Sequence, residues 1–92
     1  MTEPAPYRVE LAPAAQRQLR RLPPGDAARL RAPMLGLADD PRPRGSVPIT
    51  GTTYLRLRVG DLRVVYLVDD REPLIIVLQV ARRSESTYRR IE

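Results

Sequence analysis

Between Tyr54 and Val80 the chain reads as three strands in succession, and this stretch limits the fold more than any other. Leu55, Leu57 and Val59 alternate with Tyr54, Arg56 and Arg58, the period of a strand with one buried face. Gly60-Asp61 follows as a two-residue hairpin turn, with glycine supplying the positive φ needed at the first position. Leu62–Val68 is apolar and β-branched enough for a central strand. Asp69–Pro73 is a longer turn. Leu74–Val80 is continuously apolar, as a strand covered on both faces would be. An all-helical fold is excluded.

The first half has a different period. Residues 1–6 (MTEPAP) read as a loose tail and residues 7–92 as a single domain. Tyr7–Leu11 alternates apolar and charged, a half-buried strand. Pro13 suits the first turn of a helix, with Ala12 at the N-cap offering no oxygen to the unpaired amides. Ala15, Leu19 and Leu22 make one apolar stripe, with Gln16, Arg17, Arg20 and Arg21 mainly on the other face. Pro23-Pro24-Gly25 stops this helix and turns the chain. Ala27, Leu30, Met34 and Leu37 predict a second helix, and Pro33 inside it predicts a kink or split near Arg29–Ala32. Asp39–Gly45 is a loop by composition. At the other end Ser84 can cap a short helix, Glu85–Ile91. The order β-α-α-β-β-β-α predicts an α+β fold. The N-terminal strand and helical hairpin pack on a mainly antiparallel sheet of about four strands, and a short C-terminal helix closes the chain. No repeat and no second domain is visible.

Composition removes whole classes of chemistry. The 92 residues include no cysteine and no histidine, which excludes disulfides, thiolate sites and Ser-His or Cys-His catalysis, and leaves no expected metal or cofactor. All 16 basic residues are arginine, set against 11 acidic ones, for a formal charge of +5. Such a domain suits an anionic partner, nucleic acid or an acidic protein. A GC-rich genome would enrich arginine, proline and alanine equally well, so position has to decide. The four tyrosines are the only aromatics and offer few stacking platforms. The start, MTEPAPY, has neither a basic opening nor an apolar run. The longest apolar run, Leu74–Leu78, is far short of the ~20 residues of a membrane helix. A cytoplasmic protein with no membrane contact is expected.

Position singles out a few arginines. Tyr54, Arg56 and Arg58 share one strand face, and arginine's planar fork grips phosphate through two hydrogen bonds. Alone, this strand is better explained as a solvated sheet face. Across the two-residue turn, however, Arg58 falls opposite Arg63, and directly opposed like charges destabilise a sheet. The pair either recruits a carboxylate of the chain, such as Asp61, or awaits an anion from outside. Arg82 and Arg83 end the last strand, and Tyr88 follows five residues after Arg83. Arg56, Arg58, Arg63, Arg83 and Tyr88 are expected to converge on one concave face. RNA can be cut there through its own 2′-hydroxyl, with arginines stabilising the phosphorane and Tyr88 carrying a proton once its pKa is lowered from about 10. Glu85 is a second candidate base, although a first-turn carboxylate is also simply favoured by the helix dipole.

From Tyr7 to Ile91 the chain resembles the RelE/ParE superfamily of bacterial toxins from toxin–antitoxin systems. The resemblance rests on the order and spacing of YRVELAPAAQRQLRRLP (Tyr7–Pro23), DPRPRG (Asp40–Gly45), Gly51 ahead of YLRLRVGDLRVVYLVDD (Tyr54–Asp70), and VARRSESTYRR (Val80–Arg90). It implies a small α+β toxin held inactive by a cognate acidic antitoxin. In the RelE branch the toxin is an mRNA endonuclease acting in the ribosomal A site without metal or cofactor. In the ParE branch it inhibits DNA gyrase. Arg56, Arg63, Arg83 and Tyr88 match RelE-type catalytic positions, with Tyr54, Arg58 and Arg82 as RNA-binding neighbours. Where RelE-type members carry two strand lysines this chain has Tyr54 and Arg56, and Leu62 stands where Tyr is usual. The resemblance thus implies an endoribonuclease, or else a gyrase inhibitor, or a non-catalytic member that only pairs with an antitoxin and operator DNA.

Overall fold

Residues 6–82 are described by a computed structural model of the chain. The helix expected over Glu85–Ile91 lies outside them, as do Arg83 and Tyr88. The elements are β1 (Arg8–Leu11), α1 (Pro13–Arg21), α2 (Pro24–Gly36), β2 (Ser46–Pro48), β3 (Leu55–Val59), β4 (Leu62–Asp69) and β5 (Leu74–Arg82). One sheet holds all five strands in the order β1-β5-β4-β3-β2. Only β1 and β5 pair in parallel; the other neighbours are antiparallel. The α+β class is as expected, with one strand more than the sequence suggests. That strand, β2, is three residues long and ends on Pro48, whose missing N–H suits an edge. It is too short to carry a period.

Pro13 opens α1, and Ala12 at the N-cap makes no side-chain hydrogen bond. Arg20 and Arg21 lie in the last turn, where the helix dipole favours positive charge. β1 pairs with β5 only as far as Leu11 opposite Val77. Beyond that point α1 takes over the edge: Ala12 N–H donates to the Val77 carbonyl at 2.8 Å, and Val80 N–H donates to Gln18 Oε1 at 2.9 Å.

Two expectations about α2 change. Gly25 lies inside the helix rather than in the turn, because Leu22 and Pro23 (ψ 149° and 146°) already reverse the chain and Pro24 starts the next helix. Nor does Pro33 split α2, which runs unbroken to Gly36. Pro33 sits in the final turn, so its ring removes one late hydrogen bond and has little helix beyond it to displace.

Both helices cover one sheet face. Ala15, Leu30, Met34 and Leu37 meet Leu57, Leu62, Val64, Tyr66, Ile75, Val77 and Val80. Each fully buried aliphatic side chain contributes about 1.5–3 kcal/mol. Tyr66 is buried too, and its hydroxyl donates to the Pro41 carbonyl at 2.7 Å, tying the loop after α2 to β4. Burial pushes the pKa of that hydroxyl up. Nearby, Tyr7 Oη donates to Asp70 Oδ1 at 2.6 Å, and Arg42 holds the same carboxylate through two bonds of 3.3 and 3.1 Å.

The continuous apolar run of β5 has a specific cause. Val65 pairs with Gln79 but Tyr66 pairs with Val77, so Leu78 is an extra, bulged residue. The bulge shifts the alternation. Ile75 and Val77 face the helices, and so does Val80, while Gln79 and Ala81 join the opposite face. Leu74, Ile76 and Leu78 are only half-buried.

Candidate nucleic-acid interface

The sheet face away from the helices carries its arginines in two adjoining rows. Arg58 of β3 stands opposite Arg63 of β4, which stands opposite Ala81 of β5. In the next row Arg56, Val65 and Gln79 are aligned, with Val47 of β2 beyond Arg56. Neighbouring strands lie about 4.8 Å apart, so three guanidinium-bearing residues share a small area. Arg63 is 7% exposed, Arg56 half-buried and Arg58 exposed. Desolvation strengthens a charged hydrogen bond to phosphate, so the buried end of this set is suited to grip and the exposed end to attraction. Tyr54 sits just before β3. The 49–54 turn fixes it: Ile49 N–H donates to the Tyr54 carbonyl at 3.0 Å, and Tyr54 N–H donates to Thr52 Oγ1 at 3.0 Å.

Arg82 is not brought to this face. It points to the helix side and closes a ring of four alternating charges. Arg82 pairs with Asp61 at 2.9 Å and with Asp26. Arg29 pairs with the same two carboxylates, at 3.0 Å to Asp61 and 2.8 Å to Asp26. The ring joins the first turn of α2, the β3–β4 turn and the end of β5. Gly60 takes the positive φ of the turn, 61°, and a Cβ there would crowd Arg29 Nη1 at 3.3 Å. The Arg29 hydrogen bond is the main reason the Asp61 carboxyl is held below the usual carboxylate range. Asp61 thus answers to Arg29 and Arg82, while Arg58 and Arg63 face each other on the opposite side of the sheet.

The model of a family described as "ParE toxin of type II toxin-antitoxin system, parDE" matches residues 9–87. The chain is also 35% identical over 88 residues to Toxin RelE of Mycobacterium tuberculosis, covering 94% of this chain and 91% of that protein. The chain belongs to the RelE/ParE toxin family. Among solved structures, the M. tuberculosis RelBE2 toxin–antitoxin complex superposes with a TM-score of 0.79 at 27% identity, covering 92% of this chain and 100% of that one. The RelE–RelB complex of Pyrococcus horikoshii gives 0.72 at 28% identity, covering 87% and 98%.

Three features of this RelE/ParE toxin lie beyond the sequence reading. Arg44, placed by sequence in an undifferentiated loop, lines with Arg58 a hollow of about 330 Å³ beside β3. Its signal was only the spacing of the DPRPRG segment. Gln79 joins the arginine face because of the Leu78 bulge, for which the sequence has no mark. A groove of about 500 Å³ opens between β1, α1 and α2, lined by Val9, Leu11, Leu19, Met34, Leu35 and Arg31 among others. Leu35 is 57% exposed there. Among the described residues no helix is long and apolar enough to cross a membrane, and no cluster of three or more acidic, histidine or cysteine side chains could hold a metal ion.

Proposed function

We propose that this toxin is an endoribonuclease that cuts mRNA on the ribosome through the RNA's own 2′-hydroxyl, without metal. The observation that carries the reading is the alignment of Arg56, Arg58 and Arg63 in adjoining rows of one sheet face. Arg56 and Arg63 bind the scissile phosphate, and fixed guanidiniums stabilise the charge that grows on it in the transition state. Arg58 and Tyr54 hold the flanking backbone. Arg83 and Tyr88, which lie outside the described residues, are assigned on sequence: Arg83 to the transition state or the leaving oxygen, Tyr88 to nucleotide orientation or proton transfer. Arg82 steers no RNA in this scheme, since both of its carboxylate partners lie on the helix side. The 35% identity to a protein named Toxin RelE supports the RelE branch.

The cognate antitoxin supplies the acidic partner, and operator DNA is reached through that complex. Both superposed structures are toxin–antitoxin complexes. The groove beside α1 and α2 fits the apolar face of a helix, with Arg31 at its rim to meet a carboxylate.

A second reading, inhibition of DNA gyrase, is favoured by the family model, whose description names ParE. Induced expression in a bacterial host, with mapping of message ends and of chromosome breaks, separates the two. Growth arrest with in-frame cuts in ribosome-bound message, lost in Arg63→Ala, supports the nuclease. Growth arrest with DNA damage and intact message would overturn it in favour of the gyrase reading.

A further inference from the structure

Gln79 carries an anomaly that the phosphate chemistry does not use. Its Oε1 is buried yet accepts no hydrogen bond among the described residues. Such a group is uncommon in folded proteins, because a buried acceptor loses water and gains nothing in return. Its cross-strand neighbour Val65 and the next residue on its face, Ala81, have no side-chain polar groups, and its diagonal neighbour Arg63 makes no hydrogen bond to it. Two strands away in the same row stands Arg56, at about 9–10 Å by strand spacing. A polar, uncharged amide therefore lies at the flank of a cationic face.

A carboxamide offers one donor and one acceptor side by side. On the N7 edge of the bases only adenine matches that pair, with its N6 amino group and its N7. Guanine presents two acceptors there, cytosine only a donor and the pyrimidine carbonyl of uracil only an acceptor. Bases of single-stranded RNA are splayed out and read on their Watson–Crick and Hoogsteen edges, and it is on the second, the N7 edge, that an amide selects adenine. The terminal torsion of a glutamine side chain is soft, so Oε1 can turn outward when a donor arrives. We propose that Gln79 is a base-reading residue, which hydrogen-bonds the N6/N7 edge of an adenine next to the phosphate gripped by Arg56 and Arg63. The ligand class rests on the ribonuclease reading; the choice of adenine rests on Gln79.

The test is fluorescence anisotropy with 2′-O-methyl pentauridylates whose central residue is A, C, G or U. These carry no free 2′-hydroxyl and are not cut, so the preference is read independently of catalysis. Wild type is expected to bind the adenine probe about tenfold tighter than the other three, the discrimination of one good amide–adenine pair. Gln79→Met is expected to bind all four within twofold of one another, and Gln79→Glu, which can only accept, is expected to lose the preference for adenine over cytosine. The carboxylate also lowers affinity for every probe, which leaves the ratio informative. Thermal melting checks the fold, and if Gln79→Met is unfolded at the assay temperature Gln79→Glu decides alone. Equal or absent binding of the four probes by wild type, or a preference for adenine over cytosine retained in a folded Gln79→Met or Gln79→Glu, overturns the proposal. A preference that obeys Gln79 in a protein that leaves unmodified ribosome-bound message intact would sink the nuclease reading and leave the base contact standing.

Discussion

Arg58 and Arg63 face each other directly across the β3–β4 hairpin, the exposed partner against the buried one. Directly opposed like charges repel. An anion seated between them reverses the sign. Phosphate that binds the folded state raises its stability by mass action. Inorganic phosphate at tens of millimolar is therefore expected to raise the melting temperature of the toxin, and to raise that of Arg58→Gln less. Melting in matched concentrations of chloride separates this from a general salt effect. An equal rise in both proteins would remove the anion site.

The catalytic assignment makes a sharper demand on Arg56 and Arg63. A fixed positive group aimed at a developing charge is worth about 10²–10³ in rate. Arg63→Ala and Arg56→Ala should each lose roughly that factor in cleavage of ribosome-bound message while binding RNA only several-fold more weakly. Lysine at position 56 keeps the charge but loses the two-pronged grip, so Arg56→Lys should fall between wild type and alanine. Single-turnover cleavage compared with anisotropy measures both quantities. Parallel losses in binding and cleavage would reduce these residues to RNA-holding groups.

Much of this face was legible in the sequence because a two-residue turn fixes register. Once Gly60-Asp61 is read as the turn, Val59 must pair with Leu62 and Arg58 with Arg63, and they do. The helical stripes were legible for the same local reason: Ala15, Leu30, Met34 and Leu37 are buried where their spacing puts them. What failed depended on distant partners. The bulge at Leu78 has no local signature, so the faces of Gln79 and Ala81 were not readable. The separation of Arg82 from the arginine face follows from carboxylates at Asp26 and Asp61, 56 and 21 residues away in sequence. β1 pairs in parallel with β5 across most of the chain, and β2 is too short to show a period.

Acid should weaken the toxin through two carboxylates. Asp61 is held below its ordinary value of 3.8 chiefly by the Arg29 hydrogen bond, and Asp70 chiefly by Arg42 and then by Tyr7. A carboxyl whose pKa is lower in the folded state contributes stability that is complete above 3.8 and is lost as pH falls through the folded value. The melting temperature should therefore drop below about pH 4, and Asp61→Asn and Asp70→Asn should each flatten that drop. Both groups are exposed, so 1 M salt should shrink the difference between wild type and variants. A profile between pH 5 and pH 2 that is unchanged in both variants would place the acid-sensitive groups elsewhere.

The core gives a plain stability prediction. Leu30 is fully buried between α2 and the sheet. Leu30→Ala should cost about 2–5 kcal/mol, the range for a buried leucine whose cavity does not fully collapse. For a domain of this size each kcal/mol lowers the melting temperature by roughly 4–8 °C. Urea titration followed by circular dichroism measures the cost directly. A loss under about 1 kcal/mol would mean that the α2–sheet interface repacks freely.

The antitoxin groove can be tested without touching the arginine face. Leu35 is 57% exposed on the groove wall, so a charge there carries little folding cost. In a helix-in-groove contact the same charge would be buried without a partner and would repel an acidic segment as well. Leu35→Glu should weaken antitoxin binding at least tenfold, and Arg31→Glu should do so through repulsion at the rim. Both variants should still arrest growth when expressed alone, and co-expressed antitoxin should no longer rescue the cells. Calorimetry with the purified antitoxin measures the affinity. Full rescue of Leu35→Glu at wild-type affinity would show that the antitoxin is seated elsewhere on the toxin.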